Sequence, residues 1–322
     1  TAGWDGLLLS GKAASPVYLS ITKDGVAFMD ASHLWGKEIP EVQTDLETSK
    51  KMGSLVIGPA GENRVAFANI ASGSRFLGRG GFGAVLGSKM VKAVVSTGGA
   101  FRIKPHDIEG FKKITRRASQ YIKQNKMTGV AYRKYGTAAK VRPNLKGNIL
   151  PIHNFRDGFH EDAEKLSGEV IAEKHATQHH TCKPCSIKCG HKGTFNGEGM
   201  AVPEFETIGL LGSNLGIFDT DQIAQWNRIC GRLGLDTIST GGTLAWVMEA
   251  TEKGLVKTAL KFGSSQGVSE AMEDIAYMRG FGAEMARGSR YLSEKFGGEA
   301  FAIQVKGLEM AAYDPRGSFG QG

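Results

Sequence analysis

No stretch of this chain approaches the eighteen or so consecutive apolar residues that a membrane-spanning helix needs. Apolar runs such as Leu7–Leu9, Ala93–Val95 and Leu244–Met248 are soon broken by polar residues or Gly. The start, Thr1-Ala2-Gly3-Trp4-Asp5, has neither a basic opening nor an apolar core region, so it does not read as a secretory signal, and a cytoplasmic location is the expectation. There is no internal repeat and no low-complexity segment. Cysteine is scarce, four in 322 residues, and only one CxxC pair occurs, which counts against a two-knuckle zinc module. No Walker A loop is present either: Lys89 follows Gly87-Ser88 and does not close a GxxxxGK[ST] pattern.

What cysteine there is lies crowded. Cys182, Cys185 and Cys189 fall within eight residues, in the run HTCKPCSIKCGH. A CxxC step brings two thiolates to one centre across a tight turn, and the CxxxC step adds a third, which suits separate corners of a cubane iron–sulfur cluster. A four-iron cluster normally takes four thiolates. Cys230 lies far off, on the apolar face of a helical pattern with Ile223, Trp226 and Leu233, and reads as a core residue. Zinc completed by His191, His179 or His180 is the alternative occupant, although Cys189-Gly190-His191 leaves only one residue between ligands. Three thiols without any cofactor is the plainest reading of all.

Glycine is in excess, 45 residues, about twice the average share, which implies tight turns and places where backbone lies against a ligand. The net charge of +8 suits an anionic partner: nucleic acid, an acidic electron carrier or a phosphate-rich cofactor. A nucleic-acid-binding zinc protein is disfavoured, because the basic residues are not interleaved with aromatics as a stacking platform requires. Much of the charge sits in Lys112-Lys113-Ile114-Thr115-Arg116-Arg117, which at helical spacing reads as a solvated face.

The first hundred residues read as strands at 7–9, 17–21, 26–29, 54–57 and 65–68, with a helix over 41–52. After Val91–Val95 the period becomes helical, from His106-Asp107 through Phe111, Ile114, Ala118 and Ile122, and further helices follow at 162–175, 220–233, 238–253, 267–279 and 282–296. The cysteine run falls in an irregular connection between helices 162–175 and 220–233. The fold class is α+β: a β-rich domain over 1–103, a mostly α-helical domain over 104–290, and the start of a third, helical domain over 291–322.

Two further patterns carry chemistry. Residues 71–92 interleave Arg75 and Arg79 with Gly78, Gly80, Gly81, Gly83 and Gly87, an anion cradle in which backbone N–H groups and guanidinium forks meet phosphate. The run does not have the strand before it and the helix after it that a dinucleotide fold would supply, and a glycine-rich turn is as often purely structural. Just beyond the cysteines, Glu204 and Glu206 would share a face on a strand and diverge on a helix. A buried Glu there is a candidate acid–base group, and two exposed surface charges are the bland alternative.

Together these stretches resemble the aldehyde:ferredoxin oxidoreductase family of tungsten or molybdenum bis-pterin enzymes. The matching pieces are DASHLWGK at 30–37, IGPAGENRV at 57–65, GRGGFGAVLGSK at 78–89, CKPCSIKC at 182–189, PEFETIGLLGSNLGI at 203–217, GLDTISTGGTLA at 234–245 and AAYDPRG at 311–317. The resemblance implies that the 1–103 domain binds pterin, with a tungstopterin between it and the helical domains and a 4Fe-4S cluster close by on Cys182, Cys185 and Cys189. It assigns pterin phosphate contacts to Arg75, Gly78 and Arg79, a bridging Mg2+ to the backbone at Phe76, a second pterin contact to Leu235 and Asp236, and the carboxylate beside the metal to Glu206. It implies oxidation of a small aldehyde to its acid, with electrons passing to ferredoxin or an iron–sulfur partner subunit in an oligomer or larger complex. The alternative within the family is a low-potential reductase similar to the tungsten subunit of benzoyl-coenzyme A reductase.

Several positions depart from the family pattern. Gly231 stands where an Asp of the DxxGLD motif would grip a pterin ring. Gln321 stands where a histidine would follow YDPRG, and Gln225-Trp226-Asn227-Arg228 replaces the ExxH that joins some homodimers through a metal. Gln does not relay a proton as imidazole does. Thr1 and Gly322 both match internal positions, so the resemblance implies a longer polypeptide with the fourth cluster cysteine beyond this sequence.

Overall fold

The computed structural model describes residues 2–317 apart from Thr48, Ala100 and Lys183. The chain folds into two compact units, one of Thr1–Ile103, Ile229–Thr240 and Val268–Lys295, the other of Lys104–Arg228, Gly241–Gly267 and Phe296–Gly322.

The first unit is built on a six-stranded sheet. Its strands are β1 (Val17–Thr22), β2 (Gly25–Asp30), β3 (Met52–Val56), β4 (Ile70–Ser72), β5 (Arg75–Leu77) and β6 (Val91–Thr97), in the order β2-β1-β6-β3-β4-β5. Lys23 and Asp24 link the β1–β2 hairpin, whose register runs from Val17↔Asp30 to Thr22↔Gly25. β1 and β6 are parallel and the other neighbours antiparallel. Helix α1 (Ile39–Leu46) opens with a capping box between Glu38 and Glu41 and a proline in its first turn. Its buried Ile39, Val42 and Leu46 pack with Leu34, Val56, Ala71, Ala93 and Val95 in one apolar cluster. Burial of such side chains contributes about 1.5–3 kcal/mol each. β6 is central and buried even at Lys92, whose ammonium donates to Glu62 and, at 2.8 Å, to the Lys37 carbonyl.

Several sequence expectations shift here. Residues 7–9 form no strand, and Leu8 is 95% exposed. Residues 65–68 turn instead of extending, with Ala68 alone bridging Leu235, and the strand falls at Ile70–Ser72. Alternating apolar residues alone do not separate a packed turn from a strand. The glycine run does have a strand before it, β5, and a helix after it, α3 (Phe82–Ser88). The sheet order nonetheless separates it from a dinucleotide unit, because two strands intervene between β5 and β6 and the two run antiparallel. The expected 282–296 helix divides into Gly282–Met285 and Gly288–Phe296, with Gly288 in the left-handed region at φ 85°.

The second unit is mostly helical. Its first helix, Ile108–Gln124, is capped by Asp107, which accepts from the Gly110 N–H at 2.8 Å, and buries none of its residues. The expected 162–175 helix is broken into a 3-10 turn, Glu161–Leu166, and a helix, Gly168–Lys174, with Ser167 capping the second. Most of each of the helices Thr220–Leu233 and Thr237–Glu252 also belongs here, their 229–233 and 237–240 ends falling in the first unit, and both lie where the sequence placed them. A three-stranded antiparallel sheet, Gln178–His179, His191–Phe195 and Glu198–Ala201, completes the unit.

Candidate functional site

In the first unit the glycine run is two things at once. Three of its glycines are packing devices. A Cβ on Gly81 would lie 2.3 Å from the Ala66 carbonyl, on Gly83 2.3 Å from the Asn69 carbonyl, and on Gly87 1.9 Å from the Gly61 carbonyl. Such distances leave room for hydrogen only, so these residues let α3 lie against backbone. Gly78 differs: a Cβ there would meet nothing within 4 Å, which leaves its backbone open to a ligand.

Beside that opening lie other residues implicated by sequence. Arg79 donates from Nε to Asp236 Oδ2 at 3.2 Å. Asp236 is buried and caps the Thr237–Glu252 helix, accepting from the Ile238 N–H at 3.1 Å and the Ser239 N–H at 3.3 Å. Burial pushes its carboxyl up, against the pull of the Arg79 charge and the cap donors. Leu235 is buried, and its carbonyl accepts from Asn69 Nδ2 at 2.8 Å. The helix before it ends as the Gly234 and Leu235 N–H groups both donate to the Cys230 carbonyl at 2.9 Å, Gly234 at φ 84°. Phe76 is 43% exposed and its ring tip lies 3.4 Å from where a Cβ on Gly231 would stand. The ring thus reaches the space that a side chain at position 231 would use.

In the second unit the cysteine run is the loop of a hairpin. Gln178↔Lys192 and His179↔His191 form its base, and the His180 N–H donates to the Gly190 carbonyl at 2.9 Å. Within the loop the Cys185 N–H donates to the Cys182 carbonyl at 2.9 Å, the tight turn expected of CxxC, and Lys188 is left-handed at φ 60°. Arg133 holds the loop from outside, donating to the Ser186 carbonyl at 3.0 Å. None of the three forms a disulfide, and Cys182 is exposed and the others half-buried. Among the described residues no three His, Cys, Asp or Glu side chains stand in a group that could hold a single metal ion.

The zinc alternative loses its nearest imidazole. Both ring nitrogens of the buried His191 face carbonyl oxygens, Cys189 and Arg133, each at 3.0 Å, so in this arrangement the ring is engaged with backbone on both sides. His179 and His180 stand at the base of the same hairpin, so the three thiols and these two imidazoles are the donors beside the loop. Cys230 is fully buried and its thiol is pushed up to about 12 by burial, as befits a core residue.

Glu204 and Glu206 start the short helix Phe205–Thr207, and their side chains diverge. Glu204 accepts from the Thr137 hydroxyl, whereas Glu206 Oε2 accepts from the Ala312 N–H at 2.7 Å. Both are half-buried, so neither is the fully exposed surface charge of the bland reading. Of the departures, Trp226 is fully buried, Arg228 pairs with Glu198, and Gln321 lies outside the described residues.

Comparison with known proteins identifies the family. The profile of the aldehyde ferredoxin oxidoreductase N-terminal domain matches residues 1–98, and that of domains 2 and 3 of the same family matches residues 113–322. The chain belongs to the aldehyde ferredoxin oxidoreductase family. It is 39% identical, over its whole length, to the tungsten-containing aldehyde ferredoxin oxidoreductases of Pyrococcus furiosus and of Thermococcus kodakarensis, and spans 55% of each. It is 28% identical over 98% of its length to the WOR-like subunit of an aliphatic sulfonate oxidoreductase from Pyrococcus furiosus, of which it also spans 55%. Among solved structures, the active-site complex BamBC of benzoyl coenzyme A reductase, bound to 1,5-dienoyl-CoA, matches with a TM-score of 0.76 and 26% identity, over 94% of this chain and 49% of that one. The family fold is thus the α+β arrangement described above. Among the described residues no helix is long and apolar enough to cross a membrane.

Some features near these residues had no sequence signal. His153, Asn154 and Phe155 are all left-handed, at φ 48°, 58° and 60°, a conformation uncommon for any one non-glycine residue. Asn154 Nδ2 holds the run, donating to Glu249 Oε2 at 2.8 Å and the Phe301 carbonyl at 2.9 Å. Lys140 and Tyr313, joined at 2.7 Å near Glu206, likewise come from distant stretches. Tyr313 lay inside the matched YDPRG block, the one signal that was available.

Proposed function

We propose that the protein to which this chain belongs oxidises an aldehyde to its carboxylic acid and passes the two electrons, one at a time, to ferredoxin or an iron–sulfur partner subunit. The observation that carries the reading is 39% identity across the whole chain to tungsten-containing aldehyde ferredoxin oxidoreductases. In overall balance, aldehyde and water give acid, two protons and two electrons. A tungsten or molybdenum bis-pterin, with its bridging Mg2+, would supply the two-electron redox chemistry when bound.

This chain's residues fit that group. Gly78 leaves backbone open, Arg75 and Arg79 bring fork-shaped donors for phosphate, and Phe76 presents the backbone assigned to Mg2+. Leu235 and Asp236 hold the second contact, with Arg79 keeping the Asp236 carboxylate paired. Cys182, Cys185 and Cys189 would hold the 4Fe-4S cluster from which electrons leave. Glu206 would take the proton released as the acid forms, its carboxylate kept in place by the Ala312 N–H.

The 0.76 TM-score to the benzoyl coenzyme A reductase complex favours a second reading, a low-potential reductase within a multi-subunit assembly. Holoenzyme purified without oxygen separates the two. Aldehyde-dependent reduction of a viologen dye is expected. Reduction of an aromatic thioester by low-potential donor, with no response to any aldehyde, would replace the first reading by the second.

A further inference from the structure

One short stretch of the second unit, the helical turn Tyr132–Tyr135 and the Gly136 that ends it, braces the cysteine hairpin at both ends of the step from Cys185 to Cys189. At the first end the Arg133 guanidinium donates from Nη2 to the carbonyl of Ser186, the residue after Cys185, at 3.0 Å. At the second end the backbone takes over. The Arg133 carbonyl faces Nε2 of His191 at 3.0 Å, and His191 Nδ1 faces the Cys189 carbonyl at the same distance. Gly136 lies against that carbonyl as well. It stands at φ 63°, and a Cβ on it would come within 2.9 Å of the Cys189 oxygen and 3.2 Å of His191 Nδ1.

Arg133 brings more than that one hydrogen bond. Its guanidinium is a permanent positive charge, seated on the residue next to a proposed cluster ligand. Its Nε–H is buried and, among the described residues, has no acceptor. A buried donor left without a partner is costly. Sulfur held on iron accepts such donors, and hydrogen bonds and charge at the sulfurs set the potential of a cluster. The orphaned donor and the cation therefore fit an anionic, sulfur-rich group in this loop. The hairpin itself closes through its own backbone, at Gln178↔Lys192 and His179↔His191, without either of them.

We propose that Arg133 is a positioning residue for the iron–sulfur centre: its side chain holds the loop that presents Cys185 and Cys189, and its charge raises the reduction potential of the cluster they carry. This rests on the reading of the three cysteines as cluster ligands, and deepens it by naming what tunes the point where electrons leave. A cation at the loop favours the reduced, more negative form, so removing it makes reduction harder.

The test is a reductive titration of holoenzyme purified without oxygen, in which electron paramagnetic resonance follows the reduced cluster, with iron content and circular dichroism read on every sample. Arg133→Gln removes the charge and keeps an N–H donor. At a fixed potential it is expected to lower the ratio of reduced to oxidised cluster about tenfold or more, which for a one-electron couple is a midpoint lower by about 59 mV. Arg133→Lys keeps the charge and should stay within about threefold of the native ratio. Iron lost from folded Arg133→Gln protein but kept in Arg133→Lys would show the same dependence on the cation. A native midpoint in folded, iron-replete Arg133→Gln protein overturns the proposal. So does any change, of midpoint or of iron, that is equal in the two variants, because the arginine would then act through shape alone. Should Arg133→Gln not fold, Arg133→Met is read in its place with the same expectation, and failure of both neutral variants to fold would make Arg133 a residue of the fold and overturn the proposal too. Native holoenzyme without the signal of a reduced four-iron cluster removes the cluster reading and the proposal together, whereas an unmoved midpoint removes the proposal alone.

Discussion

Arg79 and Asp236, 157 positions apart in sequence, meet through a hydrogen bond of 3.2 Å from guanidinium to carboxylate. The carboxylate is 5% exposed and the guanidinium side chain 29%, so the arginine is the charge that compensates a buried anion. Two positions that resemblance assigned to separate pterin contacts are thereby coupled to each other.

Arg79→Gln tests that coupling through pH. Asp236 already titrates above its ordinary 3.8 because it is buried, and Arg79 holds it down. A carboxyl raised in the folded state favours folding below its unfolded value and loses that benefit as pH rises through the folded value. Removing Arg79 raises the folded value further, so the variant should lose stability mainly at neutral and alkaline pH. Urea unfolding should show a deficit of about 2 kcal/mol at pH 8 that shrinks towards pH 4.5. An equal deficit at both would mean that Asp236 was never compensated by Arg79.

The glycines of the 78–89 run should divide by role. Gly81→Ala and Gly87→Ala place a Cβ 2.3 Å and 1.9 Å from backbone carbonyls, and should lower stability by about 1–3 kcal/mol or prevent folding. Gly78→Ala meets no neighbour, so it should stay within about 0.5 kcal/mol of the native chain while reducing pterin content in the holoenzyme. Thermal melts and pterin fluorescence after acid oxidation read the two effects. Similar melting of all three variants would contradict the division.

Iron content should discriminate among the cysteines. Cys182→Ser and Cys189→Ser remove thiols of the hairpin loop and should lose most of the cluster iron, whereas Cys230→Ala should keep it, because that thiol is fully buried and pushed up to about 12. Loss of iron in Cys230→Ala protein that remains folded would make Cys230 a ligand.

Glu206→Gln should lower aldehyde-dependent turnover by about 10²-fold or more with tungsten and iron retained. The amide keeps an acceptor for the Ala312 N–H, so the site's shape should survive. Native turnover in this variant would place the proton elsewhere.

Much of this was legible in the chain, and particular residues show why the rest was not. Asp107 before an apolar period marked the Ile108–Gln124 helix, and Lys23-Asp24-Gly25 marked the first hairpin. Both are local signals. Residues 65–68 read as a strand because their apolar pattern is the same whether a segment pairs or packs as a turn under a neighbouring backbone, and what decides is Leu235, far along the chain. The breaks at Ser167 and Gly288 needed the cap bond and the positive φ to be seen. The expectation of a cluster on Cys182, Cys185 and Cys189 came from their spacing alone. His191 looked like a ligand until Arg133 supplied a carbonyl to its second nitrogen. Lys140 gave no sign at all, since its meaning lies in Tyr313, which sequence places 173 residues away.

The most direct test of the whole account is elemental analysis with electron paramagnetic resonance on holoenzyme purified without oxygen. The account predicts tungsten or molybdenum together with about four irons for each such metal, and the signal of a reduced four-iron cluster after dithionite. Stoichiometric zinc with neither iron nor a group-six metal would contradict it.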